Sequence, residues 1–417
     1  REATILAILK DGDLVQSASV NDQVAVVIPE TPFYIEAGGQ VADTGSISSK
    51  ADPIWEVNVQ GTYQPIDGLV IHYGQVIIGE PKVGDQGKAT IDEPRRWDIM
   101  RNHTATHLLH ATLRQVLGEH VRQAGSLVAP DRLRFDFTHP EAMTEAQITQ
   151  VERLVNEAIL SDYELQIEHE TREDAVSQGA IALFGETYGE TVRTVSIGDE
   201  ERLSYELCGG THVENTGAIG SFLILSEGSV ASGIRRVEAI TGRGAQKVIQ
   251  SRLSVMKSVA TKLDTDPDTI ETKIDDLLEK QLYLERELRR YREGEAVTHY
   301  EALQPTEIAD IPVLTGIIPD GDADVLRRLT DRFRVKYASG VIVLASTIED
   351  RAVIVAAISP DLVDRGLDAA GLVDEVAAVV GGKGGGKSTL AQAGGKNPEK
   401  IPDALAIVPG WVKANLL

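Results

Sequence analysis

The spacing of hydrophobic and polar residues changes three times along the chain, and each change predicts a different kind of domain. Residues 1–94 contain short segments of alternating polarity, such as residues 24–28 and 75–78, separated by glycine, proline and Asp-Gly pairs. Short strands at regular intervals with turn residues between them are typical of a small antiparallel β-barrel. We therefore predict a β-barrel domain over residues 1–94.

A helical pattern begins at Arg95. Core-type residues then recur every three or four positions up to Val116, which predicts an amphipathic helix. One more helix and several strands are predicted after it, at residues 144–160 for the helix and at residues 133–137, 192–197, 221–225 and 235–240 for the strands. This succession predicts an α+β domain over residues 95–244.

A helical hairpin is predicted over residues 245–306, because two amphipathic segments flank Pro267. The second segment carries mostly apolar residues at alternating spacings of four and three, the seam of a short coiled coil. This seam consists of Ile270, Ile274, Leu277, Gln281, Leu284, Leu288 and Tyr291. Such a seam needs an apolar partner, either the preceding helix or a second chain, and we predict that the hairpin packs on itself.

Alternating strands and helices predict a small α/β domain over residues 307–417. Strands are expected at residues 341–345 and 353–357, and helices at residues 323–337 and 372–380. A length of 417 residues also calls for several cores rather than one. The predicted fold class is α+β multidomain, in the order β-barrel, α+β domain, helical hairpin linker and small α/β domain.

The charge of the chain restricts how it can bind nucleic acid. The formal net charge is −23, which argues against tight nonspecific binding, so any RNA contact has to be local. Basic residues do cluster, around Arg95, Arg96, Arg101 and Arg114 and again at residues 383–400. A solvated surface without a ligand would explain both clusters as well.

The sequence predicts a cytoplasmic protein with no membrane partner. No apolar run approaches the roughly 20 residues that a spanning helix needs, and the single cysteine cannot form an internal disulfide. The chain starts at Arg1 rather than at methionine, and residues 4–9 already have the pattern of a strand. We therefore expect it to be part of a longer protein.

Two pairs of residues predict a metal site. His103 and His107 are four positions apart in the predicted helix, so both imidazoles face the same side one turn apart. Cys208, the only cysteine, precedes His212 by four residues in a glycine-containing turn. One thiolate and three imidazoles form a tetrahedral zinc set. A buried cysteine beside unrelated histidines is the alternative, and the missing glutamate of H-E-x-x-H excludes a thermolysin-like protease.

These motifs resemble a known family. Residues 101–109 followed by residues 208–213 are similar to the editing domain of alanyl-tRNA synthetases and their free-standing relatives. Residues 31–40 resemble the glycine motif of the family's barrel, while residues 134–139 and 232–236 resemble later strands. Threonyl-tRNA synthetases carry a similar pair of metal motifs, typically with Gly-Pro where this chain has Gly210-Thr211. This difference favours a resemblance to the alanyl-tRNA synthetases.

The resemblance implies a zinc-dependent hydrolase that removes serine or glycine from mischarged tRNA(Ala), with one zinc ion per chain. It further implies an ATP-dependent aminoacylation domain outside this chain, tRNA(Ala) as partner, and a possible homodimer through the C-terminal domain. Gln123 matches a pocket glutamine of the family, and Thr104 and Thr44 are further candidate catalytic residues. Four protein ligands would close the zinc site, so either one ligand is loose and zinc activates water, or zinc only orients the substrate.

Two other functions stay open on the sequence alone. The chain could be a noncatalytic module for tRNA binding and dimerisation, in which zinc only holds the fold. It could also be a free-standing editing enzyme, although the expected longer protein disfavours this.

A glycine run near the end of the chain admits three interpretations. Residues 381–388 match the phosphate-loop pattern G-x-x-x-x-G-K-[ST], but that loop joins a strand to a helix, whereas here a predicted helix precedes the glycines. Residues 391–395 are similar to the end of the family's C-terminal domain, whereas residues 387–389 depart from it. We predict a flexible glycine loop that presents Lys383, Lys387 and Lys396 to RNA phosphates, with a plain linker as the alternative.

Overall fold

The computed structural model describes residues 1–49, 51–182, 189–199 and 202–416. It contains two compact units, Arg1–Ser258 and Val259–Leu417. Within the described residues, no helix combines the length and the hydrophobicity that crossing a lipid bilayer would require.

The first unit opens with eight strands that form one curled antiparallel sheet in the order β1-β8-β5-β6-β7-β4-β2-β3. These strands are β1 (Glu2–Thr4), β2 (Ala7–Lys10), β3 (Asp13–Val15), β4 (Gln23–Val27), β5 (Gly45–Ser48), β6 (Glu56–Ile66), β7 (Leu69–Ile78) and β8 (Gln86–Ile91). Their side chains alternate, so that Val57 and Val59 are buried while Asn58 and Gln60 are exposed. β1 leads directly into β2, and the residues between them contact both ends of the sheet: the Ile5 amide donates to the Asp85 carbonyl just before β8, and the Leu6 amide donates to the Val27 carbonyl of β4. The sheet is therefore curled, and its closure into the predicted barrel stays a prediction.

The rest of the first unit is built around one buried helix. Its elements are α1 (Glu93–Leu117), β9 (Gln123–Val128), β10 (Leu133–Thr138), α2 (Glu145–Leu160), β11 (Leu165–Thr171), α3 (Arg172–Ser177), β12 (Thr191–Ile197), β13 (Ser204–Leu207), β14 (Phe222–Ala231), β15 (Ile234–Thr241) and the first part of α4 (Gly242–Leu263). One sheet has the order β14-β15-β10-β9 and the other the order β11-β12-β13. The predicted α+β arrangement is confirmed for these described elements.

Helix α1 has residues at both ends that favour the start and the end of a helix. Asp92 caps it by accepting a hydrogen bond from the Arg95 amide, Pro94 occupies its first turn, and Gly118 ends it. Leu108, Leu109 and Leu113 pack in the same core as Phe135 and Phe137 of β10. Because the middle of this helix is buried on nearly all sides, its histidines are buried as well, and buried polar groups need partners.

The second unit holds a six-stranded sheet in the order β16-β17-β18-β19-β21-β20, with helices on both faces. Its elements are α5 (Ile270–Ala302), β16 (Thr306–Ile308), β17 (Ile311–Ile317), α6 (Ala323–Lys336), β18 (Val341–Ile348), β19 (Arg351–Ile358), α7 (Pro360–Asp364), α8 (Ala369–Val379), β20 (Lys383–Lys387), β21 (Leu390–Gly395), α9 (Ile401–Ala406) and α10 (Val408–Asn415). Only β17 and β18 run parallel among the described pairs.

Helix α5 continues past the last seam residue, Tyr291, to Ala302, and Ala296 in this last part enters the core of the second unit. Most of its predicted seam is exposed, from 41% at Ile274 to 65% at Tyr291, whereas Ile270 is partly buried. The self-packing of the hairpin stays a prediction.

The glycine run is a strand, so the expectation of a flexible loop was wrong. β20 pairs antiparallel with β21, from Lys383 opposite Gly394 to Lys387 opposite Leu390. Glycine is required at residue 384, because a Cβ there would clash with Val373 of α8. No helix follows β20, which excludes the strand-loop-helix geometry of a phosphate loop.

Candidate metal centre

The four predicted ligands converge. We call them the metal quartet, and they are His103, His107, Cys208 and His212. Their ligand atoms all lie within 4.8 Å of one another. The Cys208 sulfur lies 3.4 Å from Nε2 of His103 and 3.3 Å from Nε2 of His212. A tetrahedral zinc site requires nitrogen-to-sulfur separations of roughly 3.5 Å, so the donor set and its spacing fit such an ion.

The loop after β13 brings the cysteine and the third histidine to helix α1. Arg193 on β12 donates to the carbonyl oxygens of Cys208 and Gly210, at 2.7 and 2.9 Å, and so fixes the path of the loop. A Cβ on Gly210 would clash with the His103 ring, whereas a Cβ on Gly209 would meet nothing within 4 Å. The backbone can therefore approach the imidazole only because residue 210 is glycine.

Each imidazole of the quartet has a second partner at its Nδ1 atom. His103 donates to Oε1 of Gln40 at 2.7 Å, and Nδ1 of His212 lies 3.1 Å from Oγ1 of Thr104. When Nδ1 of each ring donates to its partner, the Nε2 lone pair is left directed toward the centre.

The third imidazole is held by a carboxylate. Nδ1 of His107 lies 3.0 Å from Oε2 of Glu206, whose other oxygen accepts a hydrogen bond from Nδ1 of His110 at 2.8 Å. Glu206 is 3% exposed and belongs to β13, in which every residue is buried. A carboxylate that orients a metal-binding imidazole is a common feature of metal sites.

The charges of the quartet favour a cation at its centre. Burial opposes the charged form of Glu206, but His107 and His110 outweigh it and hold its pKa well below the usual range. The pKa of Cys208 is likewise lowered despite its burial, because three imidazoles surround the sulfur. Two buried anions thus lie beside these imidazoles, and such charges are stable only when they are paired.

The three imidazoles cannot all be doubly protonated and positively charged. Burial lowers the pKa of His107, but Glu206 and Cys208 outweigh it and raise that pKa to about 10. Burial and the neighbouring His103 lower the pKa of His212 to about 3. One shared cation would satisfy the ring nitrogens better than three protons that repel one another.

A cavity of about 390 Å³ adjoins the quartet. Its wall combines three of the four ligands with residues from the glycine motif, from α1 and from strands β9, β10 and β13, among them Gly38, His110, Gln123, Ser126, Phe135 and Glu206. Gln123 therefore lies where the sequence analysis expected a pocket residue.

The two threonine candidates occupy different places. Thr104 is fully buried, and its hydroxyl contacts His212 and accepts a hydrogen bond from the Val213 amide at 3.3 Å. Thr44 precedes β5, where its carbonyl oxygen accepts from the Asp92 amide at 2.8 Å, and it is not among the described residues that line the cavity. The structure brings Thr104 to the quartet but not Thr44.

Sequence reasoning missed Gln40 and Glu206. Gln40 is the last residue of the glycine motif at residues 31–40, but the sequence suggested no function for it. Its hydrogen-bond partners, His103 and Thr211, are 63 and 171 positions away. Glu206 offered a stronger signal, because a glutamate in an otherwise buried strand is almost never fully buried unless it is paired.

The four arginines of the first basic cluster lie on α1 and form contacts within the protein. Arg96 forms an ion pair with Asp43, and Arg95 donates to the Ala42 carbonyl at 2.8 Å. Arg101 and Arg114 likewise donate to backbone carbonyls, those of Ala218, Glu119 and Val121. These four side chains are therefore committed to internal contacts, unlike the exposed Lys383, Lys387 and Lys396, which form no ion pair with any described residue.

Three protein families match parts of the chain. The tRNA synthetases class II (A) family matches residues 1–95, and the DHHA1 domain matches residues 310–414. The threonyl and alanyl tRNA synthetase second additional domain matches residues 192–238, which include the loop with Cys208 and His212. These matches place the chain among the aminoacyl-tRNA synthetases.

Similar proteins identify the family within that class. The chain is 44% identical over 414 residues to an alanine–tRNA ligase of Chloroflexus aurantiacus and 42% identical over 418 residues to that of Desulforamulus reducens. These alignments cover 97% and 99% of this chain but 46% and 47% of the relatives, so the chain spans about half the length of the curated relatives it matches. The chain belongs to the alanine–tRNA ligase family.

A solved structure matches part of the chain. The C-Ala domain from Aquifex aeolicus alanyl-tRNA synthetase is 29% identical, with a TM-score of 0.25, and the match covers 26% of this chain and 98% of that domain.

Proposed function

We propose that this chain hydrolyses the ester that links serine or glycine to mischarged tRNA(Ala). It would act as the editing part of an alanine–tRNA ligase whose ATP-dependent aminoacylation domain lies outside these 417 residues. The observation that carries the proposal is the shared cavity: ligands of the metal quartet, the glycine motif and Gln123 line one space of about 390 Å³. We further propose one zinc ion per chain and a cytoplasmic location.

The discrimination problem explains why such a site would be needed. A binding pocket for alanine cannot strongly exclude glycine, which is smaller, or serine, which adds only a hydroxyl. Differences of this size are worth only about 1 to 3 kcal/mol, so a second, hydrolytic site has to supply the remaining accuracy.

The chemistry would divide between the metal and the chain. Zinc held by the quartet would act as a Lewis acid that polarises the ester carbonyl or the attacking water. Gln40, Thr104 and Glu206 hold the three imidazoles in place at Nδ1. Gln123 on β9 lines the cavity and can accept a hydrogen bond from a serine hydroxyl or from the substrate ammonium. Phe135 contributes an apolar wall to the cavity.

The direct test offers the zinc-loaded chain three substrates: Ser-tRNA(Ala), Gly-tRNA(Ala) and Ala-tRNA(Ala). We expect hydrolysis of the first two well above that of the third, and loss of this activity when zinc is removed and its return when zinc is restored. A folded chain with one zinc ion that cleaves none of the three would contradict the proposal.

A noncatalytic module with a structural zinc remains a second candidate, because four protein ligands close a tetrahedral site as they do in structural zinc centres. The same assay separates the two functions, since the module would bind tRNA without hydrolysing it.

The proposed tRNA contact outside the cavity is the β20–β21 hairpin. Lys383, Lys387 and Lys396 are exposed there, and Lys383 and Lys387 lie on the same face of β20. We also propose that a homodimer, if one forms, uses residues 307–417. Sedimentation of the chain beside a version that ends at residue 306 tests this, and a shortened chain that still dimerises would contradict it.

A further inference from the structure

We propose that Gln40 is a positioning residue that makes the curled sheet of residues 1–94 part of the metal centre. This inference rests on the proposed zinc site, but its readout is metal binding rather than hydrolysis. Gln40 follows the paired glycines of the glycine motif and is 0% exposed. It contacts one residue of the quartet, His103, and the neighbour of another, Thr211.

The hydrogen bonds of Gln40 fix its own orientation. Its Oε1 accepts from the Thr211 amide at 2.9 Å, and a backbone amide can only donate. Its amide nitrogen donates to the Thr211 hydroxyl at 2.9 Å. Because the oxygen faces the Thr211 amide, the same oxygen can only accept from His103.

The tautomer of His103 follows from that orientation. Nδ1 lies 2.7 Å from the Gln40 oxygen, so Nδ1 has to carry the proton. Nε2 is then left with its lone pair on the side of the Cys208 sulfur, 3.4 Å away. Gln40 thus prepares His103 to bind a metal through Nε2, as second partners do in other histidine metal sites.

The segment that carries Gln40 is fastened at both ends. The Val128 amide donates to the Gly39 carbonyl at 2.7 Å, and the Val41 amide donates to the Val128 carbonyl at 3.0 Å, so the segment lies along β9. Gly39 has a φ of +80°, and a Cβ there would clash with the backbone of Ser126. The glycines therefore allow the close approach to β9 from which the Gln40 side chain reaches His103.

Gln40 differs from the other two Nδ1 partners in its place in the chain. Thr104 belongs to α1 and Glu206 to β13, which are the elements that carry or directly precede the ligands. Gln40 comes from the segment between β4 and β5 of the curled sheet. The sheet is therefore a contributor to the orientation of the ligands and not only a neighbouring domain.

The experiment compares three variants of the full chain. Gln40→Met keeps the length of the side chain but replaces the amide oxygen with a thioether, a much weaker acceptor, and we expect zinc affinity to fall about 10- to 100-fold. Gln40→Glu keeps an acceptor for His103 and should restore most of that affinity. Gln60→Leu, on an exposed position of β6, is the control and should bind zinc like the parent.

A spectroscopic readout separates positioning from a general structural role. In the cobalt-substituted parent, we expect three slowly exchanging imidazole N–H signals, because each Nδ1 of the quartet faces an acceptor within 3.1 Å. Gln40→Met should lose one of them, whereas Gln40→Glu should keep all three. Parental zinc affinity together with three slow signals in folded Gln40→Met would overturn the proposal.

The parent chain supplies a test that does not depend on the folding of a variant. Nitrogen-15 NMR of the zinc-loaded parent should show His103 protonated at Nδ1 and metal-bound at Nε2. The opposite tautomer would also overturn the proposal. Failure of the chain to hydrolyse Ser-tRNA(Ala) would leave this inference untouched and would count only against the proposed function.

Discussion

The metal quartet and the glycine run at residues 381–388 both matched known sequence patterns, and the structure treats them differently. Residues about 100 positions apart, His103 and Cys208, come within 3.4 Å, and each imidazole has a partner at its Nδ1 atom. The glycine run forms an edge strand, β20, without the helix that a phosphate loop needs. A pattern therefore indicates chemistry when the fold also supplies the convergence and the partners that the chemistry requires.

The same two regions differ in how they use charge. Around the quartet, charged groups are buried and paired, such as Glu206 with two histidines. On the β20–β21 hairpin, Lys383 and Lys387 are exposed. We expect variants in the first region to change metal binding and hydrolysis, and variants in the second to change only the binding of RNA.

The largest effect is expected from Cys208→Ala. Loss of the thiolate should lower the zinc content from one per chain to nearly none, and single-turnover hydrolysis of Ser-tRNA(Ala) by about 10³-fold, since the metal contributes several kcal/mol. Elemental analysis and quenched-flow assays on the same preparation measure both. Unchanged zinc content in the variant would show that the quartet is not the site.

The second prediction uses two adjacent glycines. Gly210→Ala should weaken zinc binding by roughly 10- to 100-fold, because the added Cβ displaces the His103 ring. Gly209→Ala, where the new Cβ meets nothing within 4 Å, is the matched control and should bind zinc like the parent. Competition with a chelating dye measures both affinities. Equal weakening in the two variants would mean that loop flexibility, rather than the clash, controls the site.

The third prediction concerns the lysines of the β20–β21 hairpin. Replacing Lys383, Lys387 and Lys396 with alanine should weaken tRNA binding and reduce the slope of log affinity against log salt by roughly 2 to 3. Zinc content and hydrolysis at saturating enzyme should stay at the parental values. The control replaces two exposed lysines elsewhere, Lys262 and Lys280, and should alter the slope less. If the triple variant bound tRNA as the parent does, the β20–β21 hairpin would not be an RNA contact.

The smallest expected effect is the release of a proton when zinc binds. His107, with a pKa raised to about 10, carries a second ring proton in the metal-free chain at pH 8, while the pKa of His212, about 3, leaves that ring neutral. Zinc displaces the proton from His107, so binding should release about one proton and affinity should rise with pH toward the raised pKa. Calorimetry in buffers of different ionisation enthalpy measures the release.

Glu206→Gln tests the source of the released proton, because this variant removes the charge that raises the pKa of His107. In this variant the released proton should largely disappear. A release that does not change would assign the proton to another group.

The sequence predicted the elements and ligands that depend on local spacing. The four-residue separations in α1 and in the Cys208 loop follow from helix and turn geometry, so the quartet could be predicted from the order of residues alone. Gln40 could not, because its contact with His103 depends on how the segment after β4 lies against β9, which no local pattern encodes. The β20 strand was missed for a similar reason: glycine is a weak strand former, and only packing against α8 and pairing with β21 specify it.

The central claim is that the cavity beside the quartet is a zinc-dependent hydrolytic site for mischarged tRNA. Its most direct test adds zinc stepwise to the metal-free chain and measures the single-turnover rate of Ser-tRNA(Ala) hydrolysis, with circular dichroism recorded on the same samples. The account predicts that the rate rises in proportion to zinc and stops rising at one equivalent, while Ala-tRNA(Ala) stays intact and the secondary structure does not change. A rate that is independent of zinc, or hydrolysis that does not distinguish serine from alanine, would contradict it.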